Sequence, residues 1–134
     1  MKRFWAMVVI AGSLLTSASA QQTPITMDFT KVPGSGEGPD SRGDIGGRVQ
    51  GLDRPDGYKV VIYAHTDAWY VQPLGTDSGT AIAADGRWSN WTHLGHRYAA
   101  LVVRPSFTPS AKAQSLPAVG GDVVARFETS AKRD

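Results

Sequence analysis

The sequence predicts an all-β protein, an antiparallel β-sandwich of about seven short strands. Short runs of β-branched and aromatic residues are separated by turn signals, at the regular intervals of sandwich domains. No stretch after Ala20 has apolar residues at helical spacing over three turns. The chain has no cysteine, so the fold depends on core packing without disulfide bonds.

Residues 1–20 have the pattern of a cleaved secretory signal peptide. Lys2 and Arg3 precede an apolar run, and the small residues Ala18 and Ala20 mark a cleavage site. The chain has 14 basic and 12 acidic residues, and removal of this leader makes the two numbers equal. No positive excess remains to bind nucleic acid, and no later apolar run is long enough to cross a membrane. We therefore expect an exported protein, periplasmic or extracellular, with no nucleic-acid partner and no membrane span.

A lead-in over residues 21–44 precedes the predicted sandwich. Thr26–Thr30 is predicted to be a short strand, and residues 31–44, rich in Gly, Pro, Ser and Asp, an irregular connection. The sandwich is predicted over residues 45–129, and a polar tail over residues 130–134.

Turn signals divide the sandwich region into strands. Ile45–Gly51 is followed by an Arg-Pro-Asp-Gly turn at residues 54–57, with Pro and Gly where such turns prefer them. Tyr58–His65 has bulky apolar groups on both alternating faces, which is typical of a central, covered strand. The other predicted strands are Ala68–Gln72, Thr80–Ala84, Arg87–Thr92, Arg97–Arg104 and Asp122–Thr129.

The pair Asp85–Gly86 predicts a hairpin turn, because glycine readily adopts the positive φ that such turns require. We expect this turn to pair Thr80–Ala84 with Arg87–Thr92. Residues 105–121, with three prolines and a Gly-Gly pair, are predicted to be a second irregular stretch. The number and spacing of the strands are typical of an Ig-like sandwich.

The chain also carries a series of motifs in a fixed order. They are a valine-rich strand ending in Tyr-Ala (YKVVIYA), Trp-Tyr-x-x-Pro (WYVQP), Asp-Gly-x-Trp (DGRW), Thr-His-x-Gly (THLG), and an Ala-Ala-x-x-Val strand with a proline-rich exit (AALVVRPSFTP). With the later LPAVGG, the pattern covers about residues 45–121. It resembles a little-characterised bacterial secreted β-sandwich module, of the kind found beside polysaccharide-degrading enzymes and sensor proteins. The resemblance implies the fold and export, and it brings no catalytic residues.

Two pairs of aromatic residues are the most informative candidates for a binding site, Trp69 with Tyr70 and Trp88 with Trp91. Odd separations on a regular strand place side chains on opposite faces, so one ring of each pair should lie on an outer face or a sheet edge. Exposed rings are suited to stacking against sugar rings. The alternative is that the outward ring is covered by one of the two irregular segments and belongs to a satellite apolar cluster.

Polar side chains close in sequence supply hydrogen bonds for such a ligand, namely Asp67, Gln72, Asn90 and His93. We expect a non-catalytic module that contacts a glycan or cell-envelope polymer through the four aromatic residues as a group, with Asp67 and Gln72 beside them. The alternative is a protein-interaction module of the envelope, which receives an added strand at an edge ending at Pro73 or Pro105. The oligomeric state is left open.

A further group of candidate residues contains three histidines and one aspartate, namely His65, Asp67, His93 and His96. Spacings such as His-x-x-His occur in metal sites, but on a strand a separation of three residues places the two imidazoles on opposite faces. No spacing predicts a catalytic triad or a strained nucleophile turn. We therefore expect no metal, no cofactor and no enzymatic activity.

Overall fold

The structure is a computed structural model, and it describes residues 23–73 and 79–133. The predicted signal peptide lies outside these residues. Within them, nine strands form two antiparallel sheets of three and six strands, which confirms the predicted all-β sandwich. The one helical element in these two ranges is a 3-10 turn at Pro55–Gly57, at the predicted turn. This part of the chain has no helix that is long and apolar enough to span a membrane.

The strand bounds are close to those predicted for most elements. In chain order the strands are β1 (Thr26–Lys31), β2 (Arg42–Gln50), β3 (Lys59–His65), β4 (Trp69–Gln72), β5 (Thr80–Ala81), β6 (Arg87–His93), β7 (Arg97–Val103), β8 (Lys112–Ala113) and β9 (Val123–Ser130). The smaller sheet has the order β1-β2-β6. The larger sheet has the order β8-β4-β3-β7-β9, with β5 paired to β3.

The core between the sheets contains the inward side chains of both layers. Ile45 and Trp88 from the smaller sheet pack against Ile62, Tyr98 and Val102 from the larger one. All five are buried. Burial of apolar side chains here is the main favourable contribution to folding.

A second buried cluster lies on the outer face of the larger sheet. Tyr63, Trp69 and Leu101 belong to it, and Phe107 and Leu116 pack against it. Both of these last residues come from the irregular stretch over 105–121. The central strands β3 and β7 are therefore covered on both faces, as the continuous apolar pattern of β3 predicted.

The predicted hairpin at Asp85–Gly86 is wrong in its pairing. The turn forms, and Gly86 has the expected positive φ of 91°. However, β5 pairs with β3, whereas β6 pairs with β2 in the other sheet. The Gly86 carbonyl accepts a hydrogen bond from Val49 N–H at 2.8 Å, and this contact joins the turn to β2. The turn thus carries the chain from one layer to the other.

Two further expectations need correction. The irregular segment over 31–44 ends earlier than predicted, because β2 begins at Arg42. The strand edges proposed at Pro73 and Pro105 are not free. The strand before Pro105, β7, is interior, between β3 and β9, and the strand before Pro73, β4, is paired with β8.

Candidate functional site

The two aromatic residues of β4 lie on opposite faces of the sheet. The ring on the outer face is the more buried of the two. Trp69 points to the outer face, yet it is only 6% exposed. The segment that carries Phe107 and Leu116 covers this face. In addition, the Arg97 guanidinium lies 5.5 Å from the centroid of the Trp69 ring. Trp69 is therefore part of a satellite apolar cluster and is removed from the candidate site.

Tyr70 points to the inner face of the larger sheet and remains partly exposed. It lies opposite Ala64 in the register of β3 and β4. The smaller sheet has three strands and ends at β6, so it does not cover the inner face of β4 completely. The Tyr70 ring consequently lines an open groove at the edge of the sandwich.

The second pair follows the predicted alternation on β6. Trp88 is 4% exposed in the core between the sheets, where its ring and that of Phe29 are in a T-shaped contact, so it belongs to the core. Trp91 lies on the outer face of the smaller sheet and is partly exposed. Asn90 is turned inward, where its side-chain amide donates a hydrogen bond to Thr80 Oγ1 at 3.0 Å. Of the four aromatic candidates, Tyr70 and Trp91 thus remain.

Four chain segments form the groove beside Tyr70, which we call the β4 groove. Its volume is about 500 Å³. The lining side chains that bear on binding are Tyr70 and Gln72 of β4, His93 at the end of β6, Lys112 of β8 and Pro39 of the β1–β2 loop. Other depressions on the surface are as large, so the chemistry of the lining, and not the volume, identifies this groove as a candidate site.

The Tyr70 side chain is hydrogen-bonded and has a charged neighbour at one end of the groove. Its hydroxyl donates to Asp67 Oδ1 at 2.9 Å, and Thr66 Oγ1 donates to the same oxygen at 3.1 Å. These hydrogen bonds lower the pKa of Asp67 below its ordinary value, with a smaller contribution from the charge of Lys112. The Lys112 ammonium lies 5.6 Å from the centroid of the Tyr70 ring. A charged acceptor and a charged donor therefore flank this ring.

Gln72 fixes the orientation of His93 in the middle of the groove. The backbone N–H of His93 donates to Gln72 Oε1 at 2.8 Å, so this amide atom must be the oxygen. The same oxygen lies 3.1 Å from His93 Nδ1, and the ring nitrogen must then carry a hydrogen in order to donate. In the neutral imidazole, Nε2 is left as an acceptor. Gln72, a predicted ligand-binding residue, is 6% exposed and acts here mainly through His93.

Trp91, on the adjoining face, also has a cation and a carboxylate residue as neighbours. The Arg42 guanidinium lies 4.6 Å from the centroid of its ring, and Asp44 lies directly opposite it in the pairing of β2 and β6. The next cross-strand pair on this face is Gly46 with Ser89, two small residues. Trp91 is therefore a partly exposed ring on the outer face of the smaller sheet, and we call it the Trp91 platform.

The groove and the Trp91 platform are continuous. The rings of His93 and Trp91 meet edge to face, with 5.1 Å between their centroids. Since His93 also lines the β4 groove, Tyr70, His93 and Trp91 form one strip around the edge of the sandwich, which we call the aromatic strip. Arg42, Asp44 and Lys112 were not among the predicted site residues, because only the strand register brings them beside these rings.

The other histidines have separate structural roles. The His65 ring packs against Trp69 with 4.8 Å between centroids. His96 lies between Ser35 and Glu37, hydrogen-bonded to Ser35 Oγ through Nδ1 and to Glu37 Oε2 through Nε2. This exposed array joins the β1–β2 loop to the turn before β7. Among the described residues, no group of three or more His, Asp or Glu side chains is placed to hold a metal ion.

Comparisons with known proteins supply no relative for this chain. No family model matches it, and no match is found among curated proteins or solved structures.

Proposed function

We propose that this protein is an exported, non-catalytic binding module that holds a glycan or cell-envelope polymer through Tyr70 and Trp91. The environment of Tyr70 carries the proposal. Its ring is partly exposed in a groove, its hydroxyl is bonded to Asp67, and Lys112 lies over the ring. Sugars present apolar C–H faces that stack on rings, and hydroxyls that both donate and accept hydrogen bonds.

A non-catalytic role is supported by the way in which polar groups of the groove are engaged. Gln72 Oε1 is bonded to His93, and Asp67 Oδ1 accepts from Tyr70 and Thr66. These bonds position the side chains for recognition. The export proposal is supported by the signal-peptide pattern of residues 1–20 and by the resemblance to a secreted module.

Affinity electrophoresis tests the proposal. The purified protein is run in native gels that contain hydroxyethylcellulose, galactomannan, soluble starch or xylan, and it is also incubated with insoluble peptidoglycan. We expect retardation or co-sedimentation with at least one glycan, and loss of most of this effect in Tyr70→Ala.

Tyr58→Ala is the matched control for Tyr70→Ala. Tyr58 is also partly buried, with its hydroxyl bonded to Asp53 at 3.3 Å and the Arg104 guanidinium 5.7 Å from its ring centroid. It precedes β3, whereas Tyr70 lies opposite Ala64 near the end of that strand, about 20 Å away. Failure of the wild-type protein to bind every glycan, or equal loss in both variants, contradicts the proposal.

A protein-interaction module is the second candidate. β1 and β9 are each hydrogen-bonded to a neighbouring strand along one side only in the described pairing, and such edges can accept a strand. Arg126 and Glu128 project from β9, and charged residues on an edge are a common protection against strand addition. Formation of a defined complex with an envelope protein, with no binding to any glycan, would favour this candidate.

A further inference from the structure

The aromatic strip contains two subsites of the same chemical composition. At one subsite, the Tyr70 ring has Asp67 and Lys112 beside it. At the other, the Trp91 ring has Asp44 opposite it and Arg42 over it. Each subsite therefore offers one apolar ring face, one carboxylate and one cation.

The charges of the strip cancel within each subsite. The four charged side chains take part in none of the ion pairs that the described residues form, which are Arg54–Asp56, Arg87–Asp85, His96–Glu37 and Arg97–Glu128. Asp67 accepts hydrogen bonds from Tyr70 and Thr66, and the two cations lie over the rings, but no ion pair in the part of the chain that the structure describes neutralises any of the four charges. An acidic polymer would meet a carboxylate at each ring, and a basic polymer would meet a cation. An uncharged polyhydroxyl ligand matches this balance, because its hydroxyls donate to the carboxylates and accept from the cations.

We infer that the ligand is an uncharged polysaccharide chain, bound along its side, with repeating units at both Tyr70 and Trp91. This inference rests on the proposed function. Two equivalent subsites on one continuous strip fit a ligand that presents the same unit more than once. His93 joins the subsites, since it lines the β4 groove and also contacts Trp91. Occupying both subsites with one chain makes the second contact intramolecular and raises the affinity.

A ring with one carboxylate and one cation beside it also occurs outside the aromatic strip. Tyr58, with Asp53 and Arg104, has the same three components at the far end of β3. The Tyr58 ring lines a different depression, with Leu52 and Val124, and does not line the β4 groove that Tyr70 shares with His93. Tyr58 is therefore the control for a ring that has the same kinds of neighbours but lies outside the aromatic strip.

Chain length and charge are the two variables of the test. Isothermal titration calorimetry is performed with oligosaccharides of two, four and six units, prepared from the neutral glycan that the wild-type protein retains in the gels. We expect affinity to rise at least tenfold from two units to six. Tyr70→Ala and Trp91→Ala should each lower the affinity for the six-unit chain about tenfold, which corresponds to about 1.4 kcal/mol. Tyr58→Ala should leave it unchanged.

Salt and an acidic glycan test the charge of the ligand. Binding of the neutral chain should change less than twofold between 50 and 500 mM NaCl, since no net charge is neutralised. Polygalacturonate should bind more weakly than the neutral chain. Circular dichroism and thermal unfolding of each variant verify that it is folded.

The outcomes separate this inference from the proposed function. A neutral glycan that binds with no dependence on length, or with no loss in Trp91→Ala, overturns the two-subsite inference and leaves a single site at Tyr70. Preference for polygalacturonate with strong salt dependence overturns the inference about charge. Absence of binding to every glycan contradicts the proposed function itself.

Discussion

Removing the hydroxyl of Tyr98 is expected to destabilise the protein and to loosen the loop that forms one wall of the β4 groove. Tyr98 is completely buried on β7. Its hydroxyl donates to the carbonyl of Gly34 at 2.8 Å and accepts from the N–H of Gly95 at 3.0 Å. This one oxygen therefore joins the β1–β2 loop, which contains Pro39 of the groove, to the turn before β7.

The magnitude follows from the partners that Tyr98→Phe leaves behind. Gly95 is buried, and its N–H loses this acceptor. An unsatisfied buried polar group costs about 1–3 kcal/mol. Gly34 is only partly buried, so water can replace much of its lost hydrogen bond. We expect a loss of about 2 kcal/mol in the free energy of unfolding, or about 8 °C in Tm for a domain of this size.

Urea unfolding, followed by tryptophan fluorescence at pH 7, measures the effect. Tyr63→Phe is the matched control, because Tyr63 is 1% exposed on the neighbouring strand but lies in the apolar outer cluster. Loss of the Tyr63 hydroxyl should cost less than about 0.5 kcal/mol, since its side chain packs among apolar residues of the outer cluster. Equal costs for the two variants would refute the assignment of Tyr98 as the link between the loop and the turn.

Four other predictions concern ionisation and backbone geometry. Burial raises the pKa of Tyr63 to about 12. The stability that its neutral hydroxyl contributes is therefore complete below pH 10 and is lost as the pH rises to 12. In alkaline unfolding, Tyr63→Phe should gain stability relative to the wild-type protein over that range. Gly86→Ala should cost at least about 2 kcal/mol, because a Cβ would lie 2.1 Å from a backbone oxygen of β2. Gly121→Ala, at a φ of 58° with open space around it, should cost about 1 kcal/mol in the same urea assay. The pKa of Asp67, followed by carboxyl NMR, should lie below 3.8 and rise in Tyr70→Phe, which removes the largest cause of the lowered pKa.

The fold was largely predictable because its strongest signals are local. Alternation of side chains and turn residues determined most strand positions, and the doubly apolar pattern of β3 indicated its central place. Pairing between strands was less predictable. The Asp85–Gly86 turn was recognised correctly, but its local geometry does not determine which strand lies beside β6. The neighbour of β6 is β2, and the two strands pair over seven residues.

The candidate site was predictable in part. Strand alternation correctly separated Trp69 from Tyr70 and Trp88 from Trp91. It did not predict exposure, because exposure depends on what covers each face. The segment over 105–121 covers Trp69, and neither its composition nor its prolines indicated where it would pack. The flanking charges were beyond prediction for a related reason, since Arg42 and Asp44 were assigned to an irregular segment.

The location of the site follows from the unequal width of the two layers. The three-stranded sheet does not completely cover the inner face of the six-stranded sheet, so the inward side chains of β4 must be covered by other segments, hydrogen-bonded, or open to solvent. The outward positions of β4, which do not face the smaller sheet, are apolar, with Trp69 and Val71 in the outer cluster. Of the inward positions, Tyr70 is partly exposed in the groove, and Gln72 is buried with its side-chain oxygen bonded to His93. A packing requirement alone would be met by two apolar residues beneath a loop. The choice of an amphipathic ring and an amide at these positions instead supports a role in recognition at this edge.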